Sequence, residues 1–397
     1  MATPQDDVKT LLALRDSLNA SIDAYVSLTP DQRSQKPVVN KSRQQMWSTA
    51  NKIACETVNP AQGATQLAFM PWLNAVVRTA LDLDIFNLLG ESTTAAELAQ
   101  KTGAEETLIV RLMRVLTGYD IVSEVAEHTY GQTSLSKALT VPATRDLNKH
   151  TFDSSWGCIG KLPTYLAELG YKNPEDPEKT LSHYATGTDF FGYLRDDPVR
   201  LVRFNSAMKG AAGLLASPIP KPLLDSSGTN ANAVVMVDVG GGIGQVTEKT
   251  MEENPQVQGR FVVQDLGAII EEARAKTPSY EVMEYDFFTP QPVKGASIYF
   301  MRRVLHDFPD SKCREILRNQ IQGMVKGHSK LLVCETVLPA TGCTGFESLA
   351  DISRATFSSM QRSEKHWRAL LASVGLKVVK IWPPKEGPFP VIESELE

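Results

Sequence analysis

The stretch Val234–Lys249, VVMVDVGGGIGQVTEK, decides the fold. A run of apolar and β-branched residues ends at Asp238, four glycines crowd the five positions from Gly240 to Gly244, and a helix-compatible segment follows. The apolar run predicts a buried strand. The glycines predict a turn whose backbone adopts dihedrals closed to other residues and lets a ligand lie against the main chain. A strand feeding such a turn and then a helix presents free N–H groups at the helix N-terminus, which suits a nucleotide-like ligand. The dinucleotide fingerprint is G-x-G-x-x-G. Here Asp238, Gly240, Gly242 and Gly244 form D-x-G-x-G-x-G, one residue tighter.

Towards the C-terminus, strand and helix patterns alternate: GRFVVQD, YEVMEYD, ASIYFM, a helix from Ser311 to about Val325, then SKLLVCETVLP. This alternation predicts an α/β domain over residues 231–397, with a mostly parallel, Rossmann-like sheet covered on both faces. Ligands of such sheets bind outside the carboxyl ends of the strands. Asp238, Asp265 and Asp286 end three successive strands. Asp265 lies far enough beyond Gly240 to accept hydrogen bonds from ribose hydroxyls. On this chemistry the ligand is a nucleoside-bearing cofactor.

Upstream, residues 1–60 read as a helical extension, two helical patterns separated by LTPDQRSQKPVV. Residues 61–145 contain WLNAVVRTALDLDIFNLLG, an amphipathic helix closed by Gly90. They continue with STTAAELAQKTG, a short helix with a Ser/Thr start and a glycine stop, and AEETLIVRLMRVLTGYDIV, a third helix. SEVAEHTYGQT then reads as a hairpin or wing, which makes the segment a winged helix. The helix that would read DNA, Ala104–Gly118, carries Arg111 and Arg114 but also Glu105 and Glu106, and is otherwise largely apolar. A DNA reader presents several basic and amide side chains outward, so dimerisation is the favoured use of this segment. Residues 146–230 are mostly helical, with aromatics bordering polar groups in HTFDSSWG and TDFFGYLRDDPVRLVRFNSAMKG. His150, Phe152, Trp156, Phe204 and Met208 suit the wall of a pocket for a flat organic molecule. LDSSGTNANA reads as a polar linker.

A net charge of −5 gives no reason to expect a nucleic-acid or membrane partner. No apolar run reaches the length needed to span a bilayer, and MATPQDDVKT lacks the apolar core of a signal peptide. The five cysteines are dispersed without C-x-x-C spacing, which predicts a reduced, cytoplasmic protein with neither a disulfide framework nor a structural metal.

Six segments in order resemble the plant-caffeate-type small-molecule O-methyltransferases, and more closely their fungal secondary-metabolism relatives. VDVGGGIG is similar to the cofactor loop, FVVQDL to the ribose segment, and YDFFTPQP to the adenine segment. YFMRRVLHDFPDSKCREIL resembles the stretch holding the general base, and CETVLP and MQRSEKHWRALLASVGLKVVKIW match the final segments. The resemblance implies a class I methyltransferase domain with a seven-stranded sheet, an N-terminal dimerisation domain, a homodimer, and S-adenosylmethionine as cofactor. It implies Gly240, Gly241 and Gly242 against the methionine part, Asp265 with Leu266 at the ribose, Asp286 and Phe287 at the adenine, and Asp238 and Arg302 close by. His306 becomes the base that deprotonates a phenol or enol, supported by Asp307 and by Glu335, the first of two flanking acids. The second acid falls in the family's E-R-T stretch, which here reads QRS, so Gln361 stands in its place. Gln361 and Asp351 join the substrate-pocket candidates. Some fungal members bind the cofactor without methyl transfer and act as pericyclases or dehydratases on polyketide-derived substrates. That alternative assigns His150, Arg302 and His306 to a substrate carbonyl.

Overall fold

The computed structural model describes residues 4–34, 36–211, 216–225, 229–385 and 387–397. The chain divides into two compact units, Met1–Trp156 with Pro198–Ala211, and Gly157–Asp197 with Ala212–Glu397.

In the first unit the helices Pro4–Val26 and Lys36–Thr57 pack together, and the proline-containing separator between them holds the short helix Pro30–Ser34. The helix expected to run up to Gly90 starts earlier and ends earlier. Asn59 caps it by accepting from Ala61 N at 3.0 Å, it runs through Pro71, and it stops at Asp82. Asp84 then takes φ 55°, and a separate turn, Ile85–Leu88, follows. The break lets Ile85, Phe86 and Leu89 enter the same core as Ala80 and Leu81, which one straight helix would splay around its axis. Thr94 and Glu97 form a reciprocal capping box on the helix Ala95–Thr102, and Gly103 ends it at φ 72°. The next helix, Glu106–Gly118, buries Ile109, Val110, Leu112, Met113 and Leu116 and leaves Arg111 and Arg114 exposed. Strands Val122–Ala126 and Thr129–Gln132 form the wing, with Thr93–Thr94 as a third antiparallel member.

The second unit is built on a seven-stranded sheet. Its strands are β1 (Thr229–Val239), β2 (Gln258–Asp265), β3 (Glu281–Glu284), β4 (Ile298–Arg302), β5 (Lys330–Cys334), β6 (Leu376–Trp382) and β7 (Val391–Leu396). Their spatial order is β3-β2-β1-β4-β5-β7-β6. The first five pair in parallel, and β7 runs antiparallel to both β5 and β6. The continuous apolar character of β1 follows from cover on both faces. Val237 and Val239 join a cluster with Leu331, Val333 and Trp367, whereas Met236 joins Phe261, Val263 and Phe300. The supposed linker is shorter than its composition suggests. Residues 226–228 lie outside the described residues, and Thr229 onward already belongs to β1, with Thr229 opposite Gln258. Strand order reverses between β1 and β4, which opens a crevice at their carboxyl ends.

Candidate functional site

The glycine turn sits at the carboxyl end of β1. Gly240, Gly242 and Gly244 have φ of 69°, 60° and 78°. Gly240 N and Gly241 N donate to the Gln264 carbonyl at 2.8 and 3.1 Å, which ties the turn to the end of β2. A Cβ on Gly240 would fall 2.9 Å from Val304, and one on Gly244 only 2.2 Å from the Tyr280 hydroxyl. At Gly242 nothing lies within 4 Å of that position, so the turn faces open space there. Asp238 is buried beneath the turn, where Thr247 Oγ1 donates to it at 2.9 Å, and burial pushes its carboxyl up to about 7.

Asp265 stands beside the turn. Gly242 N and Leu266 N each donate to one of its oxygens at 2.8 Å. Burial raises its pKa while those two amides oppose the rise. Leu266 is 58% exposed. After β3, Asp286 is exposed and accepts from Phe288 N at 2.9 Å. Phe287 packs against Phe288 and edge-on against Phe308, with centroids 5.2 and 5.7 Å away. This cradle, with a carboxylate held at its rim by main-chain amides and an aromatic beyond it, fits a nucleoside whose diol donates to Asp265. Arg302, at the end of β4, lies 5.9 Å from the Phe389 ring and lines a small cavity with Cys334 and Lys385.

The chain leaves β4 through Arg303, a long side chain held at φ 55°, and enters the single turn Leu305–Asp307. His306 is buried there. Its Nδ1 lies 3.3 Å from Glu335 Oε2, its Nε2 lies 3.5 Å from Asp307 Oδ1, and its backbone N–H donates to Glu335 Oε1 at 3.3 Å. Burial pushes the imidazole down to about 4 and Glu335, which has no exposed surface, up to about 8. Both groups therefore favour their neutral forms at neutral pH.

Several supporting residues escaped the reading of the sequence. Arg354 pairs with Asp307 at 2.8 Å. Arg362 has no exposed surface and donates to Leu305 O, Phe308 O and Asp310 at 2.9–3.0 Å. Ser359 Oγ lies 2.8 Å from the His306 and Phe308 carbonyls. Together they brace both ends of the turn that carries His306. The only signal for Arg362 was its place beside Gln361 in QRS. Gln361 is buried, its backbone N–H donates to Asp351 Oδ1 at 2.7 Å, and its Oε1 has no hydrogen-bond partner among the described residues.

The remaining candidates belong to the first unit. His150 is buried, accepts or donates with Ser154 Oγ at 3.1 Å, and meets Phe204 edge-on at 5.1 Å. Burial first, then the nearby Arg203 charge, lowers its pKa to about 4. Phe152 and Trp156 stack at 5.0 Å, and Met208 is half-buried. A depression of about 390 Å³ in this unit is lined by Arg145, Asp146, Pro198, Val199, Val202 and Arg203, and by none of these aromatics.

Comparison with known proteins gives a family. The O-methyltransferase domain model matches residues 168–377 and the O-methyltransferase dimerisation domain model matches residues 65–142. O-methyltransferase mfmE of Annulohypoxylon moriforme is 34% identical over 82% of this chain and 84% of its own length. Among solved structures, LepI in complex with SAM aligns with a TM-score of 0.84 at 25% identity, covering 98% of this chain and 100% of that one. A structure described as "A Pericyclic Reaction enzyme" aligns with a TM-score of 0.83 at 25% identity over the same shares. No helix among the described residues is long and apolar enough to cross a membrane. S-adenosylmethionine is the cofactor of the family that these matches define. With a winged-helix dimerisation domain ahead of a seven-stranded methyltransferase sheet, the chain belongs to the S-adenosylmethionine-dependent O-methyltransferases of fungal secondary metabolism.

Proposed function

We propose that this protein methylates a phenol or enol hydroxyl of a small secondary metabolite, as a cytoplasmic homodimer, with His306 as the general base. The observation that carries the reading is the buried His306–Glu335 contact of 3.3 Å in the turn following β4. Asp265 and the glycine turn hold the cofactor's nucleoside and methionine ends, with Asp286 and Phe287 at the base. When bound, the cofactor supplies an electrophilic methyl group on a sulfonium. A phenol is a poor acceptor until it loses its proton, and a neutral imidazole accepts one. With Glu335 ionised, as it becomes above about pH 8, Nδ1–H faces its carboxylate, and His306 takes the proton on Nε2 while that carboxylate stabilises the resulting imidazolium. Arg354 holds Asp307 and limits its competition for the same nitrogen. The rest is positioning, which the braced turn provides.

A second reading, an S-adenosylmethionine-binding pericyclase or dehydratase, is favoured by one observation. By the resemblance of QRS to the family's E-R-T stretch, Gln361 stands as a neutral amide in place of the second flanking acid, which removes that acid's charge stabilisation of an imidazolium. Incubation with methyl-labelled cofactor and an extract of fungal metabolites tests both. Labelled product with equimolar S-adenosylhomocysteine is expected. A transformed but unlabelled product, with no S-adenosylhomocysteine, would overturn methyl transfer in favour of the second reading.

A further inference from the structure

Three glutamines, Gln264, Gln291 and Gln320, have no exposed surface in the second unit. Gln264 immediately precedes Asp265 in β2, Gln291 lies in the loop after Asp286 and Phe287, and Gln320 lies in the helix Asp310–Ile321. Gln264 and Gln291 exchange amide hydrogen bonds of 2.9 Å in both directions, and Gln291 Nε2 also donates to Gln320 Oε1 at 2.8 Å. Gln320 Nε2 donates to Tyr285 Oη at 3.0 Å, and Tyr285 Oη donates to the Thr289 carbonyl at 2.7 Å. Burial pushes the Tyr285 phenol up to about 12, so its proton stays in place. A carbonyl only accepts, so the end of this chain fixes the orientation of each amide before it.

The relay is anchored in the main chain that frames the crevice. The Gln264 carbonyl receives Gly240 N and Gly241 N, and the Asp265 carbonyl receives Tyr285 N at 2.9 Å. Val293 N donates to Gln291 Oε1 at 3.1 Å, and Asn319 Nδ2 donates to the Phe287 carbonyl at 3.3 Å. Apolar side chains of equal size would fill this space without desolvating three amides. A fully satisfied amide relay adds what they lack, a fixed register between the segments it joins.

We propose that the Gln264–Gln291–Gln320 relay is a positioning device for the nucleoside part of the cofactor, holding the Asp286–Phe287 loop in register with Asp265 and the glycine turn. The inference rests on the reading that these residues hold that nucleoside. Its test is calorimetry with S-adenosylhomocysteine and with methylthioadenosine, which shares the nucleoside and lacks the amino-acid end. Two variants are compared, Gln291→Leu and the triple change Gln264→Met, Gln291→Met, Gln320→Met. The triple variant removes all three glutamines together, so no glutamine amide is left orphaned, although Val293 N loses its acceptor, whereas the single change orphans two glutamines. Both ligands are expected to weaken in the triple variant by the same factor, about tenfold or more, as when outer-shell partners of a bound group are lost. Unchanged affinities, or weakening confined to S-adenosylhomocysteine, would overturn the proposal. So would a triple variant that does not fold, since the relay would then serve the fold itself. A wild type that binds neither ligand overturns the underlying reading too. Loss of binding in Asp265→Ala upholds that reading independently of the relay.

Discussion

His306 and Glu335 share a buried space whose desolvation holds each towards its neutral form. Folding binds a proton at Glu335 between pH 4.5 and about 8, because its folded pKa lies above its ordinary value. That contribution to stability is complete below pH 4.5 and is lost as pH rises through about 8. His306, depressed from 6.5 to about 4, does the reverse: its contribution is complete above 6.5 and is lost as pH falls towards 4. The two slopes oppose each other where the windows overlap, which leaves a decline due to Glu335 between pH 6.5 and 8. Glu335→Gln is therefore expected to gain in melting temperature relative to the wild type as pH rises across that interval. A difference independent of pH would show that Glu335 is ionised throughout. The same residue sets the proposed rate profile. A protonated Glu335 donates to Nδ1 and leaves the proton of the neutral imidazole on Nε2, the wrong tautomer for a base. Turnover is expected to climb as pH approaches 8. His306→Ala is expected to lower kcat by about a hundredfold to ten-thousandfold while S-adenosylhomocysteine affinity holds, as measured by steady-state kinetics beside calorimetry. Asp265→Ala, by contrast, is expected to cost about 2 kcal/mol of S-adenosylhomocysteine binding through lost charge-assisted bonds.

Within the glycine turn, neighbouring positions have different reasons for lacking a side chain. Gly244 has φ 78° and the Tyr280 hydroxyl where a Cβ would go, and that hydroxyl donates to the Ile243 carbonyl at 2.8 Å. Gly242 has φ 60° and open space. Gly244→Ala is expected to destabilise the fold by about 2–4 kcal/mol, from left-handed strain plus displacement of Tyr280. Gly242→Ala should cost only the strain, about 1–2 kcal/mol, yet weaken S-adenosylhomocysteine binding because its methyl enters the crevice. Urea unfolding and calorimetry on both variants separate the two effects. If both variants lose stability equally and bind equally, the crevice does not lie at Gly242.

The whole molecule bears an apolar surface that its own fold leaves uncovered. Along the helix Pro60–Asp82, Leu67, Phe69 and Trp72 are 59–73% exposed, although only Ala80 and Leu81 of that helix are buried. Large apolar side chains left exposed on one helix suit burial against a second chain, and these three fall in the matched dimerisation domain. Light scattering is expected to give twice the 43.6 kDa chain mass, and Leu67→Glu with Trp72→Glu to shift the protein to monomer. A wild type monomeric at micromolar concentration would contradict this. The sequence by itself determined the fold class and the glycine turn, and it marked Asp265 and His306 as site candidates, because each is written in a local pattern: apolar periodicity, glycine spacing, or a short motif beside a strand end. It also carried the capping box at Thr94 and Glu97, a signal four residues long. The break at Asp84, the start of β1 at Thr229, the buried Arg362 under the His306 turn and the three-glutamine relay were decided only by tertiary structure. Their partners lie up to tens of residues away, as Arg362 does from Leu305, and a glutamine's chemistry is the same on a surface as in a core. Burial and pairing, which convert such a side chain from solvated decoration to a fixed support, exist only once the sheet has brought the segments together.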